Sequence, residues 1–226
     1  MIASLMMYLR PETAAATARY WALIRDGLRA RGVVAPEGLD NAREEFAVWK
    51  ARDLTLSQTC GMPYRLWLHD RVTLIGTPDF AVEGCPPGYY HSVFVVRAND
   101  PRETISDFRA ARFTYNQTFS QSGYAAAYAH CSAEGFWFAD RRQSHGHRNS
   151  AKTVAEGRAD IAALDGVSWR LIQRNDAFAG GLRVLETTTP TPGLPYIAAA
   201  DTDREATFAA VRDAIAGLTP EDAATL

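Results

Sequence analysis

No apolar run in this chain approaches the ~20 residues needed to span a bilayer; uninterrupted apolar stretches such as Val93 to Val96 are strand-sized. An excess of one charge is missing as well. Lys and Arg number 24 against 26 Asp and Glu, a formal net charge of −2, which excludes the basic face that nucleic-acid binding requires. Hydrophobic residues at 47% and charged residues at 22% exclude a disordered or low-complexity chain. Cysteine is scarce: Cys60, Cys85 and Cys131 are an odd set without metal-ligand spacing. Such a count suits buried thiols in a reducing compartment, whereas in an oxidising one Cys60 and Cys85 could bridge. Residues 1–9 are apolar but carry neither a basic n-region nor a small-x-small cleavage site. The expected location is therefore the cytoplasm if the sequence is complete and the periplasm if a leader was removed.

What the 226 residues do contain is an alternation of strand-like and helix-like segments, enough for one large domain or two lobes of roughly 100 residues. Strands are predicted over 2–8, 54–57, 72–76, 92–97, 112–115, 136–139, 161–164 and 182–186. A first helix starts near Pro11 and stops at Gly32, burying Ala14, Ala18, Trp21, Ile24 and Leu28 on one face. Further helices are predicted over 63–69, 104–108, 120–134, 150–156 and 167–174. A last one opens on a capping box, Thr202-x-x-Glu205, and runs to Ala216. Strands alternating with helices argue for an α/β fold with a mostly parallel sheet. Two such series imply two lobes, 1–96 plus 187–226 and 97–186, with the chain crossing twice between them.

Ligands of open α/β sheets sit at the carboxyl ends of strands, where loops turn into helix starts. The polar residues at those ends are Tyr8, then Ser57, Gln58 and Thr59, then Asn116, then Ser120, Gln121, Ser122, Gly123 and Tyr124, then His145 and His147, then Asp165. Ser120-Gln121-Ser122-Gly123 opens a helix, so its hydroxyls and backbone N–H groups sit at the positive end of the helix dipole and suit an anion. Simple N-capping by Ser120 explains the same residues without a ligand. Asp165 follows a buried strand and either accepts from a ligand or caps the next helix. His147 either reaches the same anion or faces solvent. Tyr8 and Tyr124 are candidate cleft walls.

Several chemistries are excluded. A Ser122–His147–Asp165 triad lacks the G-x-S-x-G elbow, because Ser120 stands where glycine is required. His145-Gly146-His147 lacks the partners of a metal site. Neither a P-loop nor G-x-G-x-x-G is present, so no nucleotide cofactor, and no cofactor of any kind, is expected.

Three segments, taken together, resemble the phosphate/phosphite/phosphonate-binding proteins of ABC importers, members of the type II periplasmic-binding-protein superfamily. They are Arg112-Phe113-Thr114-Tyr115-Asn116 with Ser120-Gln121-Ser122-Gly123; His147-Arg148-Asn149-Ser150 with the run from Val154 to Asp165; and Leu182-Arg183-Val184-Leu185 with Pro190-Thr191-Pro192-Gly193-Leu194-Pro195. Gln121 stands where that family more often has threonine. The resemblance implies a two-lobed clamp that captures a small anionic or zwitterionic ligand in an inter-lobe cleft and delivers it to an ABC permease. In it Ser120, Gln121 and Ser122 hold the anion, His147 assists, and Asp165 meets the other end of the ligand. Tyr8, Ser57, Gln58 and Thr59 close the cleft from the first lobe. The alternatives are a ligand sensor, or an enzyme of small-molecule biosynthesis on the same scaffold with His145, His147 and Asp165 as acid–base groups.

Overall fold

The computed structural model describes residues 1–226. The chain begins with β1 (Ile2–Ser4), α1 (Ala14–Ala30), α2 (Glu45–Trp49), β2 (Leu54–Gln58), α3 (Gly61–Pro63, prolonged by a π-helical turn Tyr64–Leu68) and β3 (Val72–Gly76). Next come β4 (Tyr89–Tyr90), β5 (Ser92–Arg97), a 3-10 turn (Ile105–Phe108), β6 (Phe113–Tyr115), and a π-helical turn (Gln121–Ala125) that runs into α4 (Ala126–Ala133). β7 (Arg141–Gln143), α5 (His147–Ala155), β8 (Ile161–Asp165), α6 (Gly166–Asn175), β9 (Leu182–Thr187) and β10 (Thr191–Pro192) follow. The chain ends with β11 (Tyr196–Ala199), α7 (Arg204–Ala216) and α8 (Pro220–Thr225).

These elements form two compact units, residues 1–78 with 194–226 and residues 79–193. In the first, the strand order is β1-β2-β11-β3. β2 is buried along its whole length, as a strand covered on both faces must be. On one face Trp21, Ile24 and Leu28 of α1 and Ala210, Val211 and Ala214 of α7 pack on Leu56, Ile75 and Tyr196. On the other, Trp49, Leu68 and Ile197 pack together around Leu54.

In the second unit the order is β7-β6-β8-β5-β9. Side chains alternate across a pleated strand, and here the alternation divides two cores. Phe94, Val96, Ile161 and Ala163 join Phe113, Phe138 and the α4 residues Ala127 and Cys131. Val93, Val95, Ala162 and Leu164 join Val154 of α5 and Trp169 and Ile172 of α6. A carboxylate fastens the edge of this layer: Asp160 accepts from the Arg112 backbone N–H at 2.9 Å, from both Arg112 guanidinium nitrogens Nε and Nη2, and from Arg97. The Arg112 guanidinium thereby holds the Asp160 carboxyl well below the usual carboxylate range.

The structure departs from the sequence expectations at several points, first in β1, which ends at Ser4 rather than Tyr8 and leaves Tyr8 in the following turn. The sheets are mixed rather than mostly parallel: β1–β2, β6–β7 and β6–β8 are parallel, but β11 is antiparallel to β2 and β3, and β5 to β8 and β9. The unit boundaries fall at 78/79 and 193/194 instead of 96/97 and 186/187, because β5 and β9 pair inside the second sheet. The strand predicted over 136–139 is absent. Phe136 and Phe138 are ring contacts of an aromatic cluster, and the edge strand beside β6 is the exposed Arg141–Gln143. In α1, Ala14 and Ala18 are exposed, and Ala16, Thr17 and Tyr20 fill the buried face beside Trp21, Ile24 and Leu28. Helix α7 is capped by Asp203, whose carboxylate accepts from the Ala206 N–H at 3.0 Å, in place of a Thr202 capping box. β4, β10, β11, α2 and α8 are elements the sequence pattern does not announce. The three cysteines form no disulfide, with Cys60 and Cys131 buried and Cys85 half-buried. No helix is long and apolar enough to cross a membrane.

Candidate functional site

The polar residues of the second unit converge because of how β6 and β7 end. The parallel pairing continues past the strands: Ser144 N–H donates to the Tyr115 carbonyl at 2.8 Å and His145 N–H to the Asn116 carbonyl at 3.0 Å. His145 turns the chain in the left-handed region, φ 64°, a conformation that costs histidine less than a branched residue. Helix α5 then starts at His147, with Asn149 donating back to the Ser144 carbonyl. The His147 ring is thereby delivered to the neighbouring helix start, where Nε2 lies 3.1 Å from Ser122 Oγ and 3.3 Å from Asn116 Nδ2.

That helix start is tightly built. Ser120 is the N-cap, its Oγ accepting from the Gly123 N–H at 3.0 Å, so the capping role is real. Ser120, Gln121 and Ser122 are all buried. The first backbone N–H groups of a helix lack an acceptor one turn back, which leaves a positive end here that a single serine only partly satisfies. Asn116 Oδ1, buried and without a partner, presses against Gly123. A Cβ at position 123 would lie 2.0 Å from it, 3.0 Å from Asn116 Cγ and 3.3 Å from His147 Cε1. Glycine is thus demanded by close approach rather than by backbone conformation. The sequence reading had both residues but no signal of this contact.

Electrostatically the site is a neutral one with a positive helix end. Burial pulls the His147 pKa down to about 4, with the Ala163 carbonyl opposing that shift, and no charged side chain contributes. The ring is therefore uncharged at neutral pH. A serine hydroxyl 3.1 Å from an imidazole has the spacing of a nucleophile and its base, but a base of such low pKa has little driving force for proton abstraction at pH 7. The chemistry the arrangement performs best is hydrogen bonding to an oxyanion by neutral donors and a helix terminus.

The depressed pKa has a measurable consequence. Between the unfolded value near 6.5 and the folded value of about 4, the unfolded chain binds more protons at this position than the native one. Its contribution is thus full above pH 6.5 and is lost as pH falls through that window, by up to about 3 kcal/mol. Urea midpoints measured from pH 7 to pH 4 should fall less steeply for His147→Gln than for the parent chain; parallel profiles would contradict a buried neutral ring.

The other expected site residues are placed as follows. Asp165 is buried and caps α6, Oδ1 accepting from the Ser168 N–H at 2.8 Å. Tyr124 packs edge-on against Tyr115 and Trp137, with centroids 4.9 and 5.4 Å apart, so its ring belongs to the aromatic cluster. In the first unit, Tyr8 is half-buried and Ser57, Gln58 and Thr59 are buried at the end of β2. The Gln58 amide donates to the Leu194 carbonyl at 3.0 Å, and Ser57 Oγ reaches only the adjacent Gln58 carbonyl, at 3.4 Å. Thr59 Oγ1 is buried without a partner.

A comparison with curated protein sequences finds no match. Among solved structures, the chain is similar to PhnD1 from Prochlorococcus marinus in complex with methylphosphonate, at 18% identity, TM-score 0.74, and 98% of this chain against 85% of that one. It is similar to a binding-protein component of an ABC phosphonate transporter from Pseudomonas aeruginosa, at 15% identity, TM-score 0.72, and 100% against 77%. A histidine kinase sensor domain with similarity to periplasmic binding proteins aligns at 16% identity, TM-score 0.60, and 99% against 92%. These identities speak for the fold alone: a periplasmic-binding-protein fold. The sequence model of one family, "ABC transporter, phosphonate, periplasmic substrate-binding protein", matches residues 59–226, a span that includes the capped helix start, His147 and Asp165. The family is one of transporter substrate-binding proteins rather than enzymes, and the chain belongs to it: it is a substrate-binding protein of the phosphonate type found with ABC transporters.

Proposed function

We propose that this chain captures a small phosphorus oxyanion, phosphonate or phosphate, at the Ser120–Gly123 helix start and presents it to an ABC permease. The observation that carries the reading is the Ser122 Oγ–His147 Nε2 pair, 3.1 Å apart, at a helix terminus held open by a glycine that no other residue can replace without displacing Asn116. Neutral donors and a helix end stabilise an oxyanion without the desolvation that burying a counter-cation would cost. The methylphosphonate held by the Prochlorococcus relative supports the ligand class, and the family supports the permease partner.

Ser120, Gln121, Ser122 and Gly123 are assigned to the anion, with His147 orienting Ser122 and Asn116 in turn holding His147; Tyr124 supports the turn from behind. Asp165 is assigned to a cationic or hydroxyl group at the far end of the ligand. Asp165→Asn keeps a competent N-cap while removing the charge. It should therefore weaken an aminoalkylphosphonate more than methylphosphonate, and equal losses would remove Asp165 from the assignment. From the first unit, Tyr8, Ser57, Gln58 and Thr59 are assigned to ligand contact. Thr59 is expected to matter most, since its buried hydroxyl has no partner.

The test is a thermal-shift series with phosphate, phosphite, alkyl- and aminoalkylphosphonates, sulfonates and small carboxylates. A ligand at 100 times its Kd adds roughly 2.7 kcal/mol of apparent stability. Ser122→Ala should lower affinity for the responding anion about 10- to 100-fold, the worth of a hydrogen bond to a charged group. The absence of a shift with every phosphorus oxyanion would overturn the ligand class.

A further inference from the structure

The second unit carries another cavity, of about 650 Å³, lined from β6, β7, α5 and the segments flanking them. None of its residues is Asn116, His147 or any residue of the Ser120–Tyr124 turn. Its composition is the informative feature. Arg112, Arg142, Lys152 and Arg158 supply four cations, every other lining side chain is a neutral hydrogen-bonding one, and neither a carboxylate nor an apolar side chain is among them.

The carboxylates that touch these cations do not balance them. Asp160 is shared by Arg112 at 2.9 Å and Arg97 at 3.3 Å. Asp140 meets Arg142 at 3.3 Å. Glu156 is shared by Arg158 and, at 3.7 Å, by Lys152. The four lining cations thus share three carboxylates, an excess of one positive charge at the cavity on a chain whose net charge is −2. Arg142, Lys152 and Arg158 keep half or more of their side-chain surface open, so their charged ends can turn to a ligand. The volume is that of a small-molecule pocket, and the cations reach it from the start of β6, from β7, and from the last turn of α5 and the residues just after it. Guanidinium forks match phosphate oxygens in pairs.

From this we infer that the cavity is a second anion site, which takes a soluble oligophosphate, an ion of two or more linked phosphate groups. The inference does not depend on the ligand proposed for the first site. It is tested by calorimetric titration of the full chain with tripolyphosphate. Saturable one-to-one binding is expected. Arg142→Gln with Lys152→Gln should weaken it at least tenfold, both residues being exposed enough for the fold to tolerate the change. Ser122→Ala should leave it within twofold, and so should Arg25→Gln with Arg29→Gln, which removes two cations from α1 instead. Retained methylphosphonate binding by the cavity double variant would show that the two sites are separate. The inference is overturned by an absence of saturable binding, by equal losses in the α1 control, or by a loss confined to Ser122→Ala. Binding to phosphatidylglycerol vesicles but not to free tripolyphosphate would also overturn it, by assigning the cations to a lipid headgroup.

Discussion

Replacing Gly123 by alanine should reduce affinity for a phosphorus oxyanion at least 100-fold and destabilise the chain by about 1–3 kcal/mol, the usual cost of overpacking. Local propensity argues the other way. Alanine in a helix is favoured over glycine by about 1 kcal/mol, so at an ordinary helical position the change would stabilise. The tertiary contact decides the sign. The new Cβ would sit 2.0 Å from Asn116 Oδ1 and 3.0 Å from its Cγ. Either Asn116 swings away and gives up its 3.3 Å contact with His147, or the helix start shifts and Ser122 leaves His147. Both routes dismantle the pair that holds the anion. Adding Asn116→Ala to Gly123→Ala should recover the stability and leave much of the affinity lost. A stabilised single variant with intact binding would show that the close approach has no functional weight.

Phe113→Ala should produce the largest loss of stability, about 3–5 kcal/mol. Phe113 is fully buried. Its ring stacks on Phe138 with centroids 4.6 Å apart and planes 6° from parallel, and meets Trp137 at 5.4 Å. The same cluster continues through Tyr115 and Trp137 to Tyr124, so it underlies the turn that carries Ser122. Domains are stable by only about 5–15 kcal/mol, and a loss of this size would leave the unit partly unfolded at moderate urea. Urea denaturation followed by tryptophan fluorescence measures it. Phe113→Leu, which refills most of the cavity, should recover the greater part, and a cost below 1 kcal/mol for the alanine variant would mean that the cluster is not the core of its unit.

The parts of the fold legible in the sequence are those whose residues carry their own instructions. β5 and β8 are apolar runs because both faces of the strand are covered, and Gly32, Gly157 and Gly217 stand where helices stop. β7 was illegible for the opposite reason. Arg141, Arg142 and Gln143 are all exposed, and what makes them a strand is backbone pairing with β6, which leaves no mark on side-chain choice. β11 is short and alanine-rich, and its antiparallel place between β2 and β3 is settled by where the chain re-enters the first unit. That one choice makes the sheet mixed.

The site divides in the same way. Ser120 and Asp165 were recognisable as cap residues, and both do cap. Ser122 and His147 were recognisable as polar groups at strand ends, but their contact depends on the register by which Ser144 and His145 pair with Tyr115 and Asn116. Gly123 reads as a helix-start residue, while its actual constraint comes from a side chain seven positions earlier. Resemblance to a family supplied the grouping that single-residue reasoning left open, because it carries the spacing of three segments at once.

The central claim is that the anion sits on the Ser120–Gly123 turn against His147. The most direct measurement is an amide proton–nitrogen NMR titration of the full chain with methylphosphonate, repeated on Ser122→Ala. The account predicts large, saturable shifts for the amides of Gln121, Ser122, Gly123 and Tyr124 and for the His147 ring, weakened 10- to 100-fold in the variant. Saturable shifts centred elsewhere, with these amides unmoved, would contradict it.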